Sequence, residues 1–458
     1  MNVADKYYIK MTETKVSKLI IKLGIPTTIS MLITNIYNLV DTYFVGTLGD
    51  SQQGAMGVLF TLQCIIQAFA FMLGHGSGTF ISKALAQKDV KNATKYVSTA
   101  FYLGGAIGII LAAVGLILLE PFMLFLGSSN TILPYAKDYG LWVLISAPFM
   151  ITSLVLNNCL RYEGKAFYSM IGLCAGSILN IFGDYILITK LNMGVFGAGM
   201  STAISQIISF LILLILYLKQ AQSTISIRGI SKEIGVYIDI VKCGLPSLFR
   251  QGLAAISSGL LNNFTKPFGD AAMAAMSIVN KYTSFVLCVS LGIGQGFQPV
   301  AGFNYQAGKY SRVKKGLIFT IIFSTIISLS LAPIGLFMPD KILHLLQNSD
   351  DAASVIEIGK DAIRFATIGS FVMPLSVSAN MLYQSIRKSL IASILSVLRS
   401  GAILIPVIFI YKFVGLELLG IKLAQPTSDL ISSLISIPFI LFFLLKTPNE
   451  DKKMMEIY

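Results

Sequence analysis

Long apolar runs alternate with short polar breaks along the whole chain. Twelve such runs can be drawn, at 17–45, 54–82, 96–119, 134–158, 167–188, 195–218, 237–264, 273–300, 315–338, 360–383, 390–411 and 426–445. Each is about the length of one bilayer crossing, which takes roughly 20 residues as a helix. Lipid offers backbone amides no water to bond, so the runs are expected to be helical. The breaks are short, such as 46–53 (GTLGDSQQ) and 189–194 (TKLNMG), and the longest soluble piece is 219–236. No external domain fits in these gaps. The pattern predicts an all-α polytopic membrane protein whose function lives in its helices.

Composition agrees. Of 458 residues, 55% are hydrophobic and 12% charged, and the mean hydropathy is +0.75. Soluble domains carry roughly 25% charge. The net charge of +13 would suggest nucleic acid in a soluble protein. Here it is read as loop anchoring against anionic membrane lipid, with no nucleic-acid partner. With the amino terminus inside, 24 of the 35 Lys and Arg fall in inner loops and ends, seven outside and four within spans. That bias predicts both termini in the cytoplasm. Cys64, Cys159, Cys174, Cys243 and Cys288 all sit in apolar runs without metal spacing. The polar, amphipathic start MNVADKYYIKMTETK lacks a small-residue cleavage site and is not read as a signal peptide.

The chain repeats itself. KLGIP at 22–26 matches KCGLP at 242–246, and GDSQQGAM at 49–56 matches GDAAMAAM at 269–276. Gly74 and Gly76 match Gly294 and Gly296 at the same offset of 220, which drifts to 223 where Ser153 and Asn157 meet Ser376 and Asn380. The predicted layout is a first lobe at 1–218, a cytoplasmic link at 219–236 and a second lobe at 237–458. Each lobe has six transmembrane helices, and the two rock about a central cleft. Pro26 and Pro246, at matched places, read as first-turn prolines at helix starts. GHGSG at 74–78 and GIGQG at 292–296 read as close helix packing rather than phosphate loops, since no P-loop lysine and serine accompany them. His75 reads as a packing group.

Candidate chemistry gathers in the first half. An ionised group in hydrocarbon costs at least about 2.5 kcal/mol, so Asp41 is expected to face a protein interior or a wet cavity. Asn180 and Asp184 are four apart and share a helix face. Thr202 lies eight residues beyond Gly194, about 12 Å deep at 1.5 Å per residue. Asp41, Asn180, Asp184 and Thr202 therefore reach one layer in the outer half of the bilayer. Tyr37, Asn38 and Tyr139 are plausible neighbours. Two close carboxylates favour holding a proton. The same oxygens also make a cage for a hard cation such as Na⁺. The bland alternative is a fixed network that bonds helices together. Segments 244–265, 273–299 and 362–383 hold no acid but do hold Arg250, Lys281 and Arg364. Lys281 is read as a packing or cavity residue. No HExxH or nucleophile elbow appears, so no catalytic residue, enzyme activity or cofactor is expected.

The sequence resembles the multidrug and toxic compound extrusion (MATE) transporters over nearly its whole length, particularly the prokaryotic branch of DNA-damage-inducible and related bacterial drug pumps. The resemblance is carried by NIYNLVDTYFVG at 35–46, the KLGIP and KCGLP starts, NIFGD at 180–184 and LGIGQGFQPVAGFNYQAGK at 291–309. It implies two six-helix lobes about a V-shaped cleft in a prokaryotic cytoplasmic membrane. It also implies export of amphiphilic, often cationic, small molecules against inward H⁺ or Na⁺. The family's amino-lobe cation site falls on Asp41, Asn180, Asp184 and Thr202, and its helix 4 tyrosine on Tyr139. Another branch places coupling carboxylates in the second lobe; this sequence is read as lacking them, which argues against a two-site or second-lobe mechanism. A monomer without an obligate protein partner is expected. The alternative is a flippase for lipid-linked oligosaccharide or lipid in the same superfamily, with Arg250, Lys281 and Arg364 meeting pyrophosphate.

Overall fold

The computed structural model describes residues 3–346 and 352–448. Twelve long helical segments run through these residues. In the first half they are α1 (Val16–Gly46), α2 (Asp50–Ala86), α3 (Val90–Ile117), α4 (Leu133–Tyr162), α5 (Ala166–Asp184, continued by a π-helical turn Tyr185–Lys190) and α6 (Gly194–Gln220). The second half has α7 (Ile234–Thr265), α8 (Asp270–Gln306), α9 (Tyr310–Phe337) and α10 (Ala352–Ser370, then Met373–Ser385). It ends with α11 (Ser389–Val397, a π-turn Leu398–Ala402, then Leu404–Phe413) and α12 (Glu417–Lys446). Ten of these are apolar and long enough to span a membrane, and the α10 pair, bent by 47°, makes eleven. The twelfth, α7, is 32 residues long but carries Asp239, Lys242 and Arg250. The protein is an all-α polytopic membrane protein with six long segments in each half.

The repeat is written into the backbone. Left-handed φ angles recur 220 residues apart, at Gly49 and Gly269 and at Lys88 and Gly308. They recur 223 apart at Gly164 and Arg387 and at Gly194 and Glu417. Both offsets are those seen in the sequence. Side chains repeat as well. Asn157 donates to the Ser169 carbonyl at 3.0 Å and Asn380 to the Ala392 carbonyl at 2.7 Å, each twelve residues on. A buried asparagine thus staples the fourth segment of each half to the fifth.

Two compact units result. One holds the residues up to Glu13 with Ile29–Gln251, and the other holds Thr14–Thr28 with the residues from Gly252 onward. The first part of α1 therefore packs in the second unit, and the first part of α7 packs in the first. Glycines make this possible. A Cβ on Gly244 would run into the Met72 carbonyl, and one on Gly76 into the Ile240 carbonyl. In the second unit, a Cβ on Gly296 would strike the Gly24 backbone, and one on Gly292 the Thr28 side chain and Cα. GHGSG and GIGQG are packing surfaces, as expected. The prolines are not first-turn residues, however. Pro26 is ten residues past the start of α1 and Pro246 twelve past that of α7, both inside the helix. The apolar runs themselves already place each proline nine residues in, and the lysine-bearing turns ahead of them belong to the same helices.

In the first unit, an amphipathic helix (Val3–Glu13) buries Tyr7 and Met11. Glu163, wholly buried just after the end of α4, gathers the start of the link. Its carboxylate accepts from Tyr217 Oη at 2.9 Å, from the Ser223 hydroxyl and from the Gln222 amide. Burial nonetheless raises its carboxyl above the ordinary glutamate value, with these donors pulling the other way. A raised acid contributes stability fully present below its ordinary value and lost as pH rises through the raised one. Glu163→Gln, which does not titrate, should therefore gain on the wild type as pH rises from about 4.5. Melting temperatures across that range check this, and a constant gap would refute it. Glu163→Ala leaves several buried donors unpaired and should cost about 1–3 kcal/mol at any pH.

Candidate functional site

Four helices of the first unit bring a polar cluster together. Asp41 lies five residues before the end of α1 and is 2% exposed. Tyr139 from α4, Asn180 and Asp184 from α5, and Thr202 from α6 are equally buried. Gly199 sets the approach of α6 to α4. A Cβ there would lie 2.9 Å from the Tyr139 Cα, so only glycine lets Thr202 come within reach of the tyrosine. Asp184 ends the α-helical part of α5 and the π-turn Tyr185–Lys190 follows it directly. Such turns often mark functional positions in helices.

The hydrogen bonds form a directed chain. Tyr139 Oη donates to Asp41 Oδ2 at 2.6 Å. With its single proton spent there, it must accept from Thr202 Oγ1 at 2.8 Å. Thr202 in turn accepts from Asn180 Nδ2 at 3.1 Å. Every proton in the chain points toward Asp41, which favours negative charge on that acid. Ser201 supports the arrangement by donating to the Asn180 carbonyl at 3.0 Å. Ser201 also lies near Asp184, but its one proton is committed to that carbonyl.

Four oxygens of the cluster have no donor among the described residues. They are Asp41 Oδ1, both oxygens of Asp184 and Asn180 Oδ1, all buried. Asp184 and Asp41 are close enough to act on each other electrostatically. Buried acceptors normally find a partner. Two carboxylates, an amide oxygen and a hydroxyl are the donor set of a small hard cation. The same pair can instead be eased by one shared proton. Among the described residues no group of three or more His, Cys, Asp or Glu is placed to hold a metal.

Tyr37, one turn before Asp41, is buried and feels the charge of both acids. Asn38 is half-buried and its carbonyl accepts from Thr42 Oγ1 at 2.8 Å. Lys281 is a half-buried residue of the second unit and takes no part in the chain of bonds. Arg250 belongs to the first unit, whereas Arg364 in the second lies 3.7 Å from Asp361 with both side chains well exposed. His75 bonds Ser247 at 2.6 Å and stacks on Phe71. Sequence reasoning misses two buried acids, Glu163 just past the end of α4 and one in the second unit. Asp429 in α12 pairs with Arg399 of α11 at 2.7 Å. A signal exists for Arg399, which stands in the middle of the apolar run 390–411.

Comparison with known proteins matches the two halves separately. A family model described as MatE matches residues 26–186 and again 246–410. The chain belongs to the MatE family. It is similar to the multidrug export protein MepA of Staphylococcus saprophyticus, 26% identical over 407 residues and 88% of each chain. The fold is that of a MATE protein solved in complex with MaL6, at TM-score 0.89 and 22% identity over 96% of this chain and 98% of that one. It is also that of a MOP superfamily transporter from Pyrococcus furiosus, whose binding pocket is described as of reverse polarity, at TM-score 0.89 and 22% identity over 96% and 97%. As a MatE protein the chain is a multi-pass transport protein and not an enzyme.

Proposed function

We propose that this MatE protein exports amphiphilic or cationic small molecules by antiport, with H⁺ or Na⁺ entering through the Asp41–Asp184 cluster. The four donorless oxygens of Asp41, Asp184 and Asn180, beside a chain of hydrogen bonds directed at Asp41, carry this reading. Binding a cation removes net negative charge from a buried acid pair. That change supplies the differential free energy an alternating-access cycle needs. The similarity to MepA supports a multidrug substrate range, met by apolar and aromatic contacts. A flippase for lipid or lipid-linked oligosaccharide is the second reading. It is favoured by Lys281, a half-buried cation that could meet a phosphate.

The test is export of a fluorescent cationic dye from inverted vesicles under an imposed ΔpH or ΔpNa. Export under one of the two is the expected result. No export under either, together with restored growth of a host lacking its lipid flippase, would replace this reading with the second. Thr202→Ala should weaken Na⁺-driven export more than H⁺-driven export, because a metal ion uses the hydroxyl oxygen and a proton on a carboxylate does not. Equal losses under both gradients would count against a metal at Thr202.

Both termini and the link belong in the cytoplasm on this reading, with 46–53 and 340–356 outside. Residues 347–351 of that last stretch lie outside the described residues. Ile227 in the link is 71% exposed, which suits a single-cysteine label. Labelling of Ile227→Cys by an impermeant reagent from outside intact cells would overturn the topology.

A further inference from the structure

The second unit holds a buried acid that the coupling reading leaves unused. Asp429 lies twelve residues into α12, about 18 Å from its start at 1.5 Å per residue. Its side chain is 3% exposed. Asp429 Oδ1 accepts from Arg399 Nε at 2.7 Å and from Gln425 Nε2 at 3.0 Å. Arg399 stands on the π-turn of α11. That turn frees backbone carbonyls, and neighbouring helices satisfy them. Ser428 donates to the Arg399 carbonyl at 2.6 Å, and the Ser257 hydroxyl of α7 bonds the Ser400 carbonyl. The pair is therefore built in from three helices.

The grip on the guanidinium is modest. A second nitrogen of Arg399 donates to Met373 Sδ at 3.3 Å, just past the break in α10. A thioether is a weak acceptor. One carboxylate oxygen and one sulfur hold the fork, in place of a two-oxygen clasp.

The repeat relates one residue of this site to the first unit. The offset of 223 places Gln425 where the first unit has Thr202. Gln425 contacts the acid one turn further along α12, as Thr202 belongs to the acid cluster of α1, α5 and α6. The fifth segment of each half carries a π-turn, although the offset of 223 sets Leu398–Ala402 opposite 175–179, ten residues before Tyr185–Lys190, and sets Asp429 opposite Gln206. The charge balance differs as well. In the first unit the acid oxygens include three without a donor, whereas in the second a cation of the chain itself balances the acid.

We propose that Arg399 is a tethered cation filling a second, latent monovalent-cation site at Asp429, and that it thereby confines ion coupling to the first unit. The consequence for coupling rests on the function proposed above, while the site itself does not. Without the guanidinium, a carboxylate in a low-dielectric interior is neutralised either by a proton or by another cation, and the oxygens around Asp429 favour the cation. The Asp429 oxygens, the Gln425 amide oxygen after a flip and the Ser428 hydroxyl are hard donors suited to Na⁺.

The experiment uses the purified full chain, with melting temperature followed in NaCl against choline chloride at constant ionic strength. Asp41→Asn with Asp184→Asn removes the first-unit contribution, and no Na⁺-specific shift is expected there. Adding Arg399→Met should create a saturable Na⁺-dependent rise, with apparent affinity at least about tenfold tighter than in the same protein carrying Asp429→Asn. No rise in the Arg399→Met protein would overturn the proposal. So would a Na⁺-specific rise with Arg399 intact that Asp429→Asn abolishes, since the site would already be open. If Arg399→Met aggregates in choline, Na⁺ should rescue it. Aggregation at every Na⁺ concentration, while Arg399→Met with Asp429→Asn folds, also overturns the proposal. Failure of first-unit coupling reads differently: the wild type would then show no Na⁺ or H⁺ response lost with Asp41 and Asp184, while the Arg399→Met response would persist.

Discussion

Asp184→Asn is expected to abolish gradient-driven export while leaving the protein folded. Neither oxygen of Asp184 has a hydrogen-bond donor among the described residues, so an amide of the same shape breaks no bond. It also removes one of two neighbouring acids and with it their repulsion. Stability should therefore hold or rise. Coupling should not survive, because the variant lacks the second carboxylate of the pair and leaves Asp41 alone to hold the arriving cation. The gradient-driven rate should fall to the rate seen without a gradient. Asp41→Asn should act in the same direction with an added cost. The Tyr139 bond would then end on a neutral acceptor, a loss of about 1 kcal/mol. Dye export at matched protein levels, with melting temperature alongside, separates the two effects. Wild-type export by the double variant would refute first-unit coupling outright.

Much of this is legible in the chain. Apolar runs mark each long segment because a lipid-facing helix has no freedom to be polar. The offsets of 220 and 223 come from short identities, and the structure repeats them in left-handed residues such as Lys88 and Gly308. Helix spacing and depth alone bring Asn180, Asp184 and Thr202 together. Local departures from regular helix are not legible. Nothing in YILITK distinguishes a π-turn from an α-helical one, since both bury the same apolar side chains. Asp429 escapes notice for a related reason. The apolar run begins at Pro426, so the acid looks like an end residue. The helix in fact starts at Glu417, two and a half turns earlier, which carries Asp429 inward. Its partner Arg399 is 30 residues away on another helix, and only tertiary packing pairs them.

Gly244→Val should be the most damaging single change in the first unit, and Gly296→Val in the second. At both positions a side chain would meet backbone. The Met72 carbonyl opposes Gly244, and the Gly24 backbone opposes Gly296. Backbone within a helix cannot rotate away as a side-chain tip can, so whole helices must separate. Overpacking of this kind costs about 1–3 kcal/mol, and more where no neighbour yields. The loss weighs heavily in a bilayer, where lipid tails are as apolar as the core and close van der Waals packing holds helices together. Each change also dislodges a helix segment that the chain lends from one half to the other, the start of α7 in one case and of α1 in the other. Gly259 of α7 is the control, because a Cβ there meets nothing within 4 Å. Folded yield and melting temperature in detergent should drop sharply for Gly244→Val and Gly296→Val, and stay near wild type for Gly259→Ala. Wild-type yield and melting temperature for Gly244→Val would show that α7 and α2 need no glycine contact, and the exchange of helix segments would need another cause.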